Sequence, residues 1–214
     1  MKVIVNLCVA VALLALGSNV ASTGAADSWK QLFDGKTLDG WKASENPSTF
    51  RVENGTIVVE GPRSHLFYVG PVNNHKFKNF EFKADVMTMP GSNSGMYFHT
   101  EYQEGGWPAR GYEVQVNNSH TDWRRTGSLY SIQDVKEVPA QDNKWFTQHI
   151  TVIGKHVVIK VDGKTVVDYT EPDGVERPAN MAGRLISSGT FALQGHDPKS
   201  KVLYKNIMVK ALAD

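Results

Sequence analysis

The stretch Gly91–Tyr130 (GSNSGMYFHTEYQEGGWPARGYEVQVNNSHTDWRRTGSLY) concentrates side chains that could do chemistry. Within it, Tyr112, Val114 and Val116 alternate with Glu113, Gln115 and Asn117. A strand sends successive side chains to opposite faces. The spacing therefore puts one carboxylate and two amides on one side and an apolar set on the other. Ser94–Glu101 repeats the pattern, with Ser94, Met96 and Phe98 opposed by Tyr97, His99 and Glu101. A row of polar and aromatic groups across neighbouring strands suits a sugar-sized polar ligand. The same alternation also describes a solvated outer sheet face, so the pattern alone leaves both readings open.

Other candidates lie nearby or further along the chain. Gln194 and His196 fall on the face opposite Phe191 and Leu193, and Asp197 follows, able to orient the His196 imidazole or to share a metal with it. Arg125, ahead of Thr126-Gly127, could hold an anionic oxygen or a sugar hydroxyl. Trp107 and Trp123 sit in polar loops, where an indole either stacks on a sugar or packs beneath the loop. His99 and Glu101, two residues apart, could ligate a divalent metal, but that spacing recurs by chance and leaves the cofactor unassigned. His65, His75, His120, His149 and His156 show no ligand spacing.

These groups need strands to position them, and the chain reads as all-β. Short alternating runs occur at 49–60, 77–88, 146–153, 156–161, 165–169, 190–194 and 201–210. Asn54-Gly55 and Asp162-Gly163 mark tight hairpins, because both dipeptides tolerate positive φ. No helical period longer than a turn or two is present, and Glu171–Leu185 reads as a long polar loop. Many short strands with Gly and Asn turns predict a sandwich or jelly roll.

The N-terminus carries Lys2, an apolar run Val3–Gly17 and small residues up to Ala26, the order of a secretory signal peptide over residues 1–26. The run is short for a membrane span. Export to the periplasm or beyond is the expectation, with 27–214 as one domain and no membrane anchor after cleavage. Removing the signal takes Lys2 and no other formal charge, so the net charge of +1 becomes 0. It also takes Cys8, the only cysteine, which excludes a disulfide, a thiol nucleophile or a Cys-ligated metal in the remainder. Neutral balance gives no reason to expect nucleic acid as a partner. Nothing in the sequence points to an oligomeric state.

The order of landmarks also resembles a known family. Trp29–Trp41 (WKQLFDGKTLDGW), Phe50–Gly61, Phe80–Asp85, Ser92–Phe98 (SNSGMYF), Gly111–Gln115 (GYEVQ), Thr126–Tyr130, Phe191–His196 (FALQGH) and Lys205–Ile207 follow one another as in the 3-keto-disaccharide hydrolase domain, formerly domain of unknown function 1080. The resemblance implies a concanavalin A-like jelly-roll β-sandwich of two antiparallel sheets, acting on 3-keto-glycosides. Conventional glycosidases set two carboxyl groups across the scissile bond, and the Glu-x-Asp-x-Glu strand pattern of jelly-roll glucanases is missing here. A 3-keto sugar asks for less. The ketone acidifies the C2 proton and the aglycone on C1 lies β to it, so one base, one acid and a few donors suffice for elimination and hydration. Glu113 and His196 are the expected catalytic pair, with Gln115, Gln194, Arg125, Tyr97, Trp107 and His99 expected to bind substrate. A non-catalytic carbohydrate-binding module on the same concave face is the alternative, since one fold can host either role.

Overall fold

The computed structural model describes Met1 and residues 28–213. Apart from Met1, the expected signal peptide and Cys8 lie outside the described residues. Where alternation was strongest, strands form. They are β1 (Lys30–Gln31), β2 (Trp41–Ala43), β3 (Phe50–Glu53), β4 (Thr56–Glu60), β5 (Ser64–Tyr68), β6 (Phe80–Thr88), β7 (Ser94–Thr100), β8 (Tyr112–Val116), β9 (Phe146–Ile153), β10 (His156–Val161), β11 (Lys164–Thr170), β12 (Thr190–Gly195) and β13 (Lys201–Ala211). The only helical pieces among the described residues are single 3-10 turns.

Two antiparallel sheets result. The larger runs β11-β10-β9-β6-β13-β4-β3, with β1 also on β13; the smaller runs β2-β5-β12-β7-β8. This is the jelly-roll sandwich. The hairpins turn as their dipeptides require, with Asn54 and Gly55 at φ 49° and 75° and Asp162 and Gly163 at 47° and 79°. Positive φ at both central positions is the type I′ turn, whose twist matches that of paired strands.

The two sheets bury their strands differently. β6 and β9 alternate buried and half-buried residues, one face in the core and one toward water. Phe82 from this sheet stacks on Phe191 from the other at 4.0 Å, and Phe80 packs edge-on against both Phe98 and Phe191. Truncating such a buried ring costs about 3–5 kcal/mol, because the lost contacts are not refilled. In the small sheet, β7, β8 and β12 are buried on both faces. The segments 101–111, 117–135 and 171–189 roof its outer side and bring residues of all three over one cavity.

Two local devices shape this sheet. Segment 126–130 runs along the free side of β8, where Gln115 N donates to Ser128 O at 2.9 Å and Tyr130 N to Glu113 O at 3.0 Å. On the other side, Tyr97 pairs with Ala192 but Thr100 with Thr190, so β7 carries one extra residue. His99 absorbs it at φ 55°. Glycines flank this bulge on both sides: a Cβ on Gly111 would lie 2.1 Å from Phe98 O, and one on Gly189 2.3 Å from Thr100 O.

The bulge corrects one expectation. Simple alternation put His99 on the polar outer face. The extra residue turns its ring inward instead, against Phe80 and Phe98, where Nε2 lies 2.9 Å from Lys78 O and Nδ1 accepts the Ser187 N–H at 3.2 Å. Glu101 stays outside and pairs with Arg110 at 3.0 Å. His99 therefore does not take the substrate-binding place expected of it, and its inward turn with Glu101 outside separates the two groups whose spacing could have served a metal.

Candidate active site

The outer face of the small sheet floors a cavity of about 420 Å³, within the range typical of small-molecule sites. Adjacent strands supply the floor: Gln194 from β12, Tyr97 from β7, and Glu113 and Gln115 from β8. Glu113 is 5% exposed. Its Oε2 accepts the Tyr97 hydroxyl at 2.7 Å, and its Oε1 accepts Gln194 Nε2 at 2.8 Å. Gln194 Nε2 also donates to the Tyr97 hydroxyl at 3.0 Å, which locks the three groups to one another. Gly95 makes this possible, since a Cβ there would stand 2.7 Å from Glu113 Oε1. Burial pushes the Glu113 carboxyl above its ordinary range, against the opposing pull of Arg184 and the hydrogen bonds from Tyr97 and Gln194. Burial, helped by the Glu113 charge, likewise holds the Tyr97 phenol well above its usual range and so protonated.

Around this floor stand the loop residues. Trp107, 45% exposed, forms a rim, its ring 5.5 Å from His196 and 5.6 Å from His65. Arg63 lies over the same indole at 5.3 Å and is held by Glu45. His196 Nδ1 meets Asp197 Oδ2 at 2.8 Å, an orienting contact of the kind that fixes an imidazole tautomer. Asp197 is buried enough to resist ionising. Hydrogen bonds from His196, Ser200 and the Lys199 N–H nevertheless hold its carboxyl below the ordinary range. Arg184 reaches in from the 171–189 segment, with Nη2 3.5 Å from Glu113 Oε2. Tyr130, Asn180 and Met181 complete the wall.

A cation is worth testing against this donor set. Ligand-capable atoms of His120, His196 and Asp197 lie within 4.8 Å of one another. However, His120 Nδ1 accepts the Asp122 N–H at 3.1 Å, which leaves the ring hydrogen on Nε2. Asp197 is taken up by His196, Ser200 and Lys199 as above. His196 and Asp197 are bonded to each other and His120 to its own surroundings, so these atoms already have protein partners.

A second acidic group lines the cavity, but differently. Asp122 Oδ1 accepts the Arg124 N–H and guanidinium, at 2.9 and 3.4 Å. Its charge is neutralised within its own loop, so it does not face Glu113 as a free second carboxylate of the conventional glycosidase kind.

The family of 3-keto-alpha-glucoside-1,2-lyase-like domains matches residues 28–210. The chain belongs to that family. It is similar to a 3-keto-disaccharide hydrolase of Bacteroides thetaiotaomicron, 28% identical over 171 residues. That match covers 67% of this chain and 59% of the relative, so the chain spans little more than half the relative's length. Among solved structures, a suspected glycosyl hydrolase of Parabacteroides distasonis matches with TM-score 0.72 at 24% identity, over 86% of this chain and 94% of that one. A carbohydrate-binding module of Bacillus subtilis matches with TM-score 0.56 at 14% identity, over 80% of this chain and 96% of that one. At these identities the likeness is one of fold.

Of the residues expected to form the site, this member of the 3-keto-alpha-glucoside-1,2-lyase-like family brings Glu113, His196, Gln115, Gln194, Tyr97 and Trp107 to one cavity. Arg125 is placed elsewhere. Its Nη1 donates to Asn117 Oδ1, His120 O and Asp122 O at 2.8–3.1 Å, so it clamps the 117–125 loop and does not line the cavity. Trp123 is exposed outside it, beneath Arg124 and Lys136. Arg184, Tyr130 and Asn93 line the cavity and were not anticipated. Asn93 accepts Gln115 Nε2 at 3.1 Å, and only its place beside Ser94 on a strand could have suggested it.

Proposed function

We propose that this chain cleaves the glycosidic bond of 3-keto-glycosides by base-assisted elimination followed by hydration. One observation supports the reading most directly: Glu113, the one carboxylate on the cavity floor, is buried and aimed by Tyr97 and Gln194, with the Arg184 guanidinium 3.5 Å away. Glu113 takes the C2 proton, which the neighbouring ketone has acidified. The C1–O bond then breaks, C1=C2 forms, and His196, oriented by Asp197, gives a proton to the departing aglycone oxygen. Water adds to C1 and a proton returns to C2, so the net change is hydrolysis. A lyase-like first half and a hydrolytic sum are thus compatible in one cavity.

Sugar hydroxyls have receivers. Gln115 Oε1 and Gln194 Oε1 are buried without a donor among the described residues. Hydroxyl groups entering the cavity would satisfy them, and a buried acceptor left unpaired is costly. Trp107 offers its exposed ring to an apolar sugar face.

Incubating the purified protein with a 3-keto-glycoside and with its unoxidised parent tests the proposal. Aglycone release from the keto form alone is expected. Binding of both sugars with no release from either would sink the enzyme reading and leave a carbohydrate-binding module, the role named for the B. subtilis neighbour.

A further inference from the structure

We propose that Arg184 is the electrophile of this cavity, its guanidinium holding the ketone oxygen of the sugar as enolate charge develops there. This rests on the reading of the cavity as a site of elimination. When the C2–H bond breaks, its electron pair forms C2=C3 and the C3=O pair moves onto oxygen. Collapse reforms C3=O, makes C1=C2 and expels the C1 oxygen, which takes its proton from His196. The α-hydrogen and the ketone oxygen sit on adjacent carbons, so base and donor must stand within a few ångströms of each other. Arg184 Nη2 is 3.5 Å from Glu113 Oε2.

Donor capacity and place in the cavity together single Arg184 out. A guanidinium carries five N–H donors. The other arginines nearby are spent or placed away from the cavity: Arg177 donates to the Tyr112 and Tyr169 hydroxyls and to Arg184 O, Arg125 to its loop, and Arg124, whose Nε also lacks a hydrogen-bond partner among the described residues, ion-pairs with Asp122 and Asp134 outside the cavity lining. The Arg184 side chain is 13% exposed, with the long Glu113 contact as its hydrogen bond. Its Nη1 is buried without a partner among the described residues. A buried cation with unspent donors beside a base is the arrangement that stabilises an oxyanion.

The segment delivering it is held through its main chain. Arg184 N donates to Met181 O at 2.9 Å, Gly111 N to Gly183 O at 2.9 Å, and Arg177 Nε to Arg184 O at 3.0 Å. Gly183 has no room for a side chain, since a Cβ there would sit 2.0 Å from Ala109 O. Replacing the Arg184 side chain therefore leaves the anchors of the segment in place.

Arg184→Gln and Arg184→Lys test the assignment, with melting temperature checked alongside. Arg184→Gln should lower kcat by roughly 10²–10³-fold, the usual loss for one oxyanion donor, with KM moving less. Its acid limb should also move to higher pH, because Glu113 loses the cation that opposes its burial while Tyr97, Gln194 and His196 still face it and Tyr130 and Tyr204 stay within electrostatic reach. Arg184→Lys, keeping charge but losing the planar fork, should leave the limb in place and still lose rate. Turnover by Arg184→Gln within about threefold of the parent, or a rise in KM alone, would overturn the role of Arg184 and leave the elimination reading standing. A wild-type chain that releases no aglycone from the keto sugar overturns both.

Discussion

At the scale of single residues, Glu113 carries the sharpest tension. Its folded carboxyl holds a proton more tightly than an unfolded one, because burial outweighs Arg184, Tyr97 and Gln194. Between the ordinary carboxylate value and the raised one, the folded chain binds a proton that the unfolded chain has lost, so stability falls as pH rises through that window. Two outcomes should therefore separate in Glu113→Gln. Turnover of the keto sugar falls by about 10²-fold or more, while the melting temperature at neutral pH rises and substrate binding largely survives. A lower melting temperature would contradict the burial argument even if activity were lost. Gly95→Ala makes a second test, since its backbone is unstrained and its Cβ would press on Glu113 Oε1. Displacing a base by a fraction of an ångström should cost roughly tenfold in kcat/KM; unaltered kinetics would show the carboxylate has slack. Glu113, Gln115 and Gln194 were legible in the sequence because alternation along a strand is a local rule. Arg184 was not, since it lies in an aperiodic polar loop and meets Glu113 only across 71 positions of chain.

Elements were legible where one face meets water. β6, β9 and β13 show their alternation openly, and the Asn54-Gly55 and Asp162-Gly163 turns announce their hairpins. β5 (Ser-His-Leu-Phe-Tyr) gave no such signal, because all five residues are buried and two-sided burial erases the period. The bulge at His99 was invisible for a different reason: one inserted residue changes which face a side chain takes without changing composition. Gly163 lies in open space, so Gly163→Val isolates backbone strain. A β-branched residue at φ 79° should destabilise the fold by about 1–3 kcal/mol. Urea titration gives the answer, and an unchanged midpoint would reject the turn assignment.

Across the whole molecule, the sandwich should be acid-sensitive through histidines it keeps neutral. Burial pushes His65 from 6.5 down to about 3 and His99 down to about 4. Folded values lie below unfolded ones, so the unfolded chain takes up protons first and stability drains as pH falls from about 6.5 toward those values, by at most about 1.4 kcal/mol per pH unit for each ring. His65, edge-on to Tyr97 and Trp107 with neither nitrogen partnered among the described residues, tolerates an apolar ring in principle. His65→Phe should flatten the loss measured by urea unfolding between pH 7 and pH 4; an identical slope would place the acid sensitivity elsewhere. The position of β13 has a consequence of another kind. The last strand among the described residues lies between β6 and β4, so a growing polypeptide cannot zip the large sheet until Ala211 has left the ribosome. Until then β4 and β6 wait with unpaired backbone edges, and the Phe82–Phe191 stack has no closed wall to press against. Closure of the large sheet waits on β13, and a chain lacking that strand would present two half-sheets with unpaired edges in place of a smaller closed sandwich.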